Sequence, residues 1–283
     1  MFKKKKSLWL FLLPGLLGLM LFYVVPFFGG IYFSMTDGTF RNNFVGLDNY
    51  GRIWANEAFR LGLKNSLALS LMCAPLIFLL SFILSVMLRA LGNASLGFRN
   101  VLLMPYLVPS AALLIVWTIL FDYGGIVNRA LHLLGLQRVL WLQSDKLRIP
   151  VVLLYVWKNT GFSVVIFSAA LQAVPEAYYE FARLEGANVV RQEMKITLPL
   201  ILPTAFLVFV LAWINAFKIF KEVYFISGAY PQDAVYTLQH YMNNKFARLD
   251  YHDVTTAAYS FAIIVFALFG IMYLGKGVRS SEQ

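Results

Sequence analysis

The sequence predicts an all-α membrane protein with six transmembrane helices. Three observations lead there. Of 283 residues, 60% are hydrophobic and 13% charged, whereas soluble domains carry roughly a quarter charged residues. The 25 Phe, 15 Tyr and 6 Trp present more apolar surface than a disordered chain can leave in water. Six stretches approach the length of about 20 apolar residues that a helix needs to cross a hydrocarbon core.

In order, these stretches run from about Leu8 to Phe33, Leu67 to Leu88, Val101 to Phe121, Pro150 to Leu171, Ile201 to Phe220 and Ala257 to Leu274. The first follows Lys3, Lys4, Lys5 and Lys6. A secretory signal also starts with basic residues, but this apolar run exceeds the 7 to 15 residues of a signal core, so a membrane span is expected. Lys and Arg in the connecting segments are nearly balanced, eleven against ten for an inside N-terminus. Their higher density in the shorter segments, and the lysine cluster before the first span, favour cytoplasmic N- and C-termini.

Pro14, Pro26, Pro75, Pro105, Pro109 and Pro203 fall in or beside the spans. Kinked helices in a membrane need protein neighbours to satisfy their freed carbonyls, which favours a packed bundle around a pathway. Gly161, Ser163, Ser168, Ala169 and Ala170 would let the fourth span approach another helix closely.

Several classes are excluded. The single cysteine, Cys73, leaves no internal disulfide and no thiolate cluster. The charge of +10 fits nucleic acid or a membrane surface, and the apolar fraction selects the membrane. No G-x-x-x-x-G-K-[ST], H-E-x-x-H or G-x-S-x-G run occurs, so neither catalytic nor metal residues are assigned. His132, His240 and His252 read as isolated surface residues in loops, and Asp250 and Asp253 beside His252 are a weak metal signal. The middle of the spans contains no Asp or Glu, which counts against a self-sufficient ion-coupled transporter.

The most charged stretch lies between the fourth and fifth spans, QAVPEAYYEFARLEGANVVRQEMKITLPL from Gln172 to Leu200. It reads as a pair of short helices. Pro175 suits a first helical turn, with Glu176 and Glu180 complementing the helix N-terminus, and Gly186 permits the left-handed backbone that ends a helix. Tyr178, Ala182 and Glu185 share one face and Tyr179, Arg183 and Gly186 its neighbour. On these grounds alone an amphipathic helix lying on the membrane is equally served.

Glu180-Phe181-Ala182-Arg183-Leu184-Glu185-Gly186-Ala187, followed by Ile196-Thr197-Leu198-Pro199, resembles the "EAA" motif of permease subunits in binding-protein-dependent ABC importers. The chain departs from the pattern at Phe181 and in having Glu185 where Asp is common. Phe44 to Tyr50 (FVGLDNY), Leu63 to Ser66 (LKNS), Pro105 to Pro109, Trp117, Gly125 to Asn128 (GIVN) and Trp157 to Gly161 are similar to the carbohydrate-importer branch, including maltose-type, multiple-sugar and glycerol-phosphate permeases. Ser227 to Pro231 (SGAYP) departs from the Gly-Gly-Pro turn usual there.

The resemblance implies the type I importer permease fold, with a cytoplasmic coupling-helix loop over 172–200. It divides the chain into an N-terminal tail with first span and outer loop (1–62), a permease core (63–276) and a tail (277–283). Tyr179, Glu180, Phe181, Ala182, Arg183, Glu185, Gly186, Ala187, Ile196, Leu198 and Pro199 would couple to an ATPase. Expected partners are a second permease subunit, two copies of a cytoplasmic ATP-binding subunit that hold ATP and Mg, and an extracytoplasmic substrate-binding protein. The chain itself would bind no cofactor, would not be an enzyme, and would reside in a bacterial or archaeal inner or plasma membrane.

The cargo implied is a sugar or oligosaccharide. Trp157, Asn159, Thr160, Trp213, Asn215 and Lys218 suit hydroxyl-rich, ring-stacking cargo along a pathway. Lys158 and Lys218, in or near spans, are expected either to act on cargo or to snorkel to the interface. Glycerol phosphate, a polyol or an acidic oligosaccharide remain alternative cargoes, and a stand-alone secondary transporter or a membrane enzyme is the alternative class.

Overall fold

The structure, a computed structural model, describes residues 12–39, 41–92 and 95–280, the last nine by backbone alone. The Lys3–Lys6 cluster and the side chains of Lys276 and Arg279 lie outside what is described. Among the described residues the fold is helical, with one isolated bridge between Thr36 and Phe44.

The helices are α1 (Leu12–Ser34), α2 (Asp48–Ala55), α3 (Glu57–Ala90), α4 (Ser95–Leu107), α5 (Ser110–Phe121), α6 (Ile126–Leu133), α7 (Arg148–Gln172), α8 (Ala177–Leu184), α9 (Val189–Gln192), α10 (Leu198–Leu200), α11 (Leu202–Ala216), α12 (Phe220–Ser227), α13 (Leu238–Ala247) and α14 (Tyr251–Ser280). Among the described residues six stretches are long and apolar enough to cross a membrane: Leu12–Ser34, Glu57–Ala90, Ser110–Leu133, Asp145–Gln172, Leu202–Ser227 and Tyr251–Ile271.

Two spans differ from the sequence expectation. The stretch expected as one helix from Val101 to Phe121 is broken between α4 and α5. Pro109 leaves the helical region, with ψ at 129°, and a proline disfavours helical backbone in the residue before it. The third candidate span therefore starts at Ser110. The fifth continues past Phe220 to Ser227, and so carries Glu222. The expectation that the middles of the spans carry no Asp or Glu belongs to the narrower runs; within the observed bounds Asp122 falls midway along Ser110–Leu133, while Glu222 lies near the end of Leu202–Ser227.

The chain forms two compact units, one of residues 1–63 with 238–283 and one of 64–237, the boundary falling within α3. In the first, α14 packs along α1, where the Tyr259 hydroxyl donates to the Phe27 carbonyl. Asp253 at the start of α14 pairs with Arg52 and with Lys245, both at 2.7 Å. His252 stacks on Phe33 at 3.8 Å, with Nδ1 3.2 Å from Thr36 Oγ1. His240 is fully buried in α13. Thus His240 and His252 are packed helix residues rather than surface loop residues, and only His132 is exposed. Because Asp253 is taken up by two cations, it forms no metal cluster with His252; none is found among the described residues.

In the second unit a core of Phe167 and Leu171 from α7 and Ala205 and Val208 from α11 is covered by Phe78 and Phe82 of α3. Helix α4 lies along α7. At their crossing, a Cβ on Gly161 would overlap the Leu102 carbonyl oxygen and come within 2.6 Å of its carbon. The small residue is what lets these two backbones touch.

Candidate coupling loop and pathway residues

The loop after α7 is a braced projection. Helix α8 starts after Pro175, with Glu180 in its first turn, and it ends in a Schellman turn. Gly186 has φ +77°, its N–H donates to the Arg183 carbonyl (3.0 Å), and the Ala187 N–H donates to that of Ala182 (2.9 Å). These bonds satisfy carbonyls that a helix end otherwise leaves open, in a conformation that favours glycine. The Asn188 side chain caps α9 by accepting from the Arg191 N–H at 2.9 Å.

One side of this loop faces inward. Tyr179 is 4% exposed, and its hydroxyl lies 2.8 Å from Thr197 Oγ1. Arg89, at the end of α3, donates to the same hydroxyl at 2.6 Å, lies over the ring at 4.4 Å and pairs with Glu193. Cation–π and charge-assisted contacts to one arginine thus anchor both arms of the loop. Glu193 and Thr197 delimit a π-helical turn, and both are buried. Tyr179 therefore sits inside the loop, behind its surface, because its polar tip finds partners there. Sequence reading placed it on a face with Arg183 and had no signal for Arg89, which joins it from 90 residues earlier; Thr197 and Glu193 lie within the same loop.

The other side faces outward. Phe181 is 70% and Leu184 85% exposed, with Tyr178, Val189, Val190 and Met194 also exposed. Tyr178, Phe181 and Leu184 recur every third residue, so they form one apolar stripe on α8. Glu180, Glu185 and Gly186 are exposed and Ala182 half-buried. Arg183 pairs with Glu176 at 2.8 Å on the surface, a contact of little energetic weight. Ile196 and Leu198 are half-buried, Leu198 against the core of the unit, while Pro199 is exposed.

The polar residues proposed for a pathway separate into groups. Asn159 and Asn215 line one small cavity of about 10 Å³ with Tyr106 and Tyr155, two residues the sequence reading missed. Lys218 donates to Asn215 Oδ1 at 2.9 Å. Trp157 is half-exposed and stacks on Trp117 at 5.8 Å. Thr160 and Trp213 are buried and turned to other partners, Thr160 to the Val156 carbonyl and Trp213 to Ser70 Oγ.

Lys158 does not snorkel. Its ammonium donates to Ser110 Oγ at 2.6 Å and to Glu222 Oε1 at 2.9 Å, and both side chains of the pair are largely buried. Lys158 falls midway along Asp145–Gln172 and Glu222 near the end of Leu202–Ser227, and two opposite charges within apolar stretches are the sequence feature that could have pointed to this contact.

Residues 94–275, which include the braced loop, match the family described as binding-protein-dependent transport system inner membrane component. The chain belongs to this family. It is 30% identical over 283 residues to the trehalose/maltose transport system permease protein MalF of Thermococcus litoralis, covering 98% of this chain and 95% of that one. It is 29% identical over 269 residues to the sn-glycerol-3-phosphate transport system permease protein UgpA of Yersinia pestis, covering 93% and 90%. The fold is similar to that in the crystal structure of a bacterial ABC transporter involved in the import of the acidic polysaccharide alginate, with a TM-score of 0.81 at 22% identity over 98% of this chain and 96% of that one. As an inner membrane component of a binding-protein-dependent transport system, the chain is a multi-pass membrane protein and a transport subunit rather than an enzyme.

Proposed function

We propose that the chain forms half of the translocation pathway of an ATP-driven importer for a sugar or oligosaccharide, and that α8 is its coupling helix. The single observation carrying this reading is the two-sided loop. The outer face is apolar, and Glu180 on it lacks an ion-pair partner among the described residues. The inner face is locked to α3 through Arg89. A projection that is rigid at its base and apolar at its tip transmits displacement, whereas an amphipathic helix resting on lipid needs no such brace.

In this mechanism two ATP-binding subunits on the cytoplasmic side close on ATP and carry α8 with them, and Arg89 passes the displacement to α3 while Thr197 and α10 pass it to α11. ATP shifts the transporter only because the closed ATPase dimer binds the two loop positions with different affinity. A second permease subunit completes the pathway, and an extracytoplasmic binding protein delivers cargo. The names of the maltose-type and glycerol-phosphate relatives support a small hydroxylated cargo. Pairing of Lys158 with Glu222 withdraws the buried cation that an acidic cargo would use, which favours a neutral sugar. Asn159 and Asn215, which can both donate and accept, would meet its hydroxyls, and Trp157 its ring face.

Affinity purification of the chain from its native membrane in mild detergent, with mass spectrometry of what remains bound, tests the reading. Recovery of a second six-span permease and a Walker-motif ATPase supports it; recovery of the chain alone, from a preparation that keeps other complexes intact, rejects it.

A further inference from the structure

A cavity of about 350 Å³ opens where α3, α4 and α7 end or begin, lined by Arg89, Arg99, Ser95, Ser168 and Gln172 among others. Its charge is unbalanced. Arg89 is compensated by Glu193, but no carboxylate pairs with Arg99 among the described residues. With the Gln172 amide oxygen facing it, the Arg99 guanidinium donates two neutral hydrogen bonds at 2.6 and 3.0 Å, and its Nε is buried with no acceptor. Ser168 is 2% exposed, and its hydroxyl also has no partner.

A buried guanidinium N–H without an acceptor is costly. Two guanidinium forks and two hydroxyls around one cavity form a donor set suited to the tetrahedral oxygens of a phosphate. Arg89 is the last residue but one of a candidate span, so the cavity lies where a span ends and lipid headgroups begin.

We propose that this cavity binds the phosphate of an anionic phospholipid headgroup, with Arg99 as the principal contact and Arg89 shared between the headgroup and the Glu193 anchor of the loop. Basic pockets between spans at the membrane surface hold such headgroups. The acyl chains would lie along the exposed apolar faces of α3 and α4, where Met87, Val101 and Met104 are uncovered. The site depends on neither the cargo nor the coupling assignment.

The assembled importer, delipidated in detergent, would be incubated separately with phosphatidylglycerol, phosphatidylcholine or inorganic phosphate and examined by native mass spectrometry. The expected result is retention of phosphatidylglycerol about tenfold over phosphatidylcholine, lost in Arg99→Gln and partly kept in Arg99→Lys. Should Arg99→Gln fail to assemble, Ser168→Ala serves as the second variant and lowers retention several-fold. Equal retention of the two lipids, or retention unchanged by these variants, overturns the site. Phosphate retained in place of lipid, with the same loss on substitution, keeps the anion site and overturns the lipid as its ligand.

Discussion

Lys158 Nζ lies 2.9 Å from Glu222 Oε1, a charge pair that joins α7 to α12 and, through Ser110 Oγ at 2.6 Å, to the first residue of α5. Glu222 Oε2 is buried without a further partner, so the carboxylate depends on Lys158. Replacing one member of a buried pair leaves the other charge stranded, typically costing about 3–5 kcal/mol, while replacing both by apolar residues is often neutral. Lys158→Met should therefore lower the thermal midpoint of the purified complex markedly, and Lys158→Met with Glu222→Leu should recover most of the loss. Additive losses would show that the pair is not the stabilising contact.

Gly161 meets the backbone of Leu102, and backbone cannot move aside as a side-chain tip does. Gly161→Ala should force α4 from α7 and destabilise by about 3 kcal/mol or more, at the upper end of overpacking effects. Thermal unfolding in detergent measures this, and a wild-type midpoint would contradict the close crossing.

Removing the Tyr179 hydroxyl isolates the brace from the docking face. Tyr179→Phe keeps the ring over Arg89 but deletes bonds to Arg89 and Thr197, with an expected loss of about 1–3 kcal/mol for the groups left unpaired. Hydrogen exchange across 177–197 should quicken, and sugar uptake per ATP hydrolysed should fall while basal hydrolysis persists. Unchanged exchange would mean that the loop is held elsewhere.

Two changes on the loop itself should uncouple transport without removing the chain from the membrane. Gly186→Pro cannot adopt φ +77°, and Glu180→Lys reverses the charge in the first turn of α8. Vesicle uptake should be lost in both while ATPase activity remains; normal uptake in both would remove the coupling role.

Acidification should loosen the first unit. Burial pushes the His240 imidazole down to about 4, below its ordinary value of 6.5, so the unfolded state takes up a proton that the folded state refuses. The associated stability is complete above pH 6.5 and is lost as the pH falls toward 4. Asp37, held at about 2 by hydrogen bonds from Thr39 and Asn43, loses its contribution only below its ordinary 3.8. Thermal midpoints measured between pH 7 and 4.5 should fall, and His240→Gln should flatten that slope. An identical slope would place the titrating group elsewhere.

Six apolar runs could be read from composition because membrane insertion depends on local hydropathy, and the end of α8 could be read from Gly186 because only a backbone requirement explains a glycine there. What the sequence withheld was long-range. Hydropathy summed over Val101 to Phe121 is blind to the break at Pro109. Tyr179 seemed a surface residue since Arg89, its partner, lies 90 residues away, and Lys158 seemed free to snorkel since Glu222 lies 64 residues beyond it. His240 looked like a loop histidine until α13 closed around it. Of the polar pathway set, Asn159 and Asn215 converge, but Thr160 and Trp213 are spent on packing.

The most direct test of the coupling assignment is a cross-link from α8. Leu184 is 85% exposed and the native Cys73 fully buried, so Leu184→Cys introduces one reactive thiol in an otherwise unchanged chain. A thiol-directed photo-cross-linker attached there, activated in native membranes, should capture the ATP-binding subunit, with a yield that changes on adding ATP. Capture of lipid alone, from membranes in which the ATP-binding subunit still co-purifies with the chain, would contradict the assignment of α8 as the coupling helix.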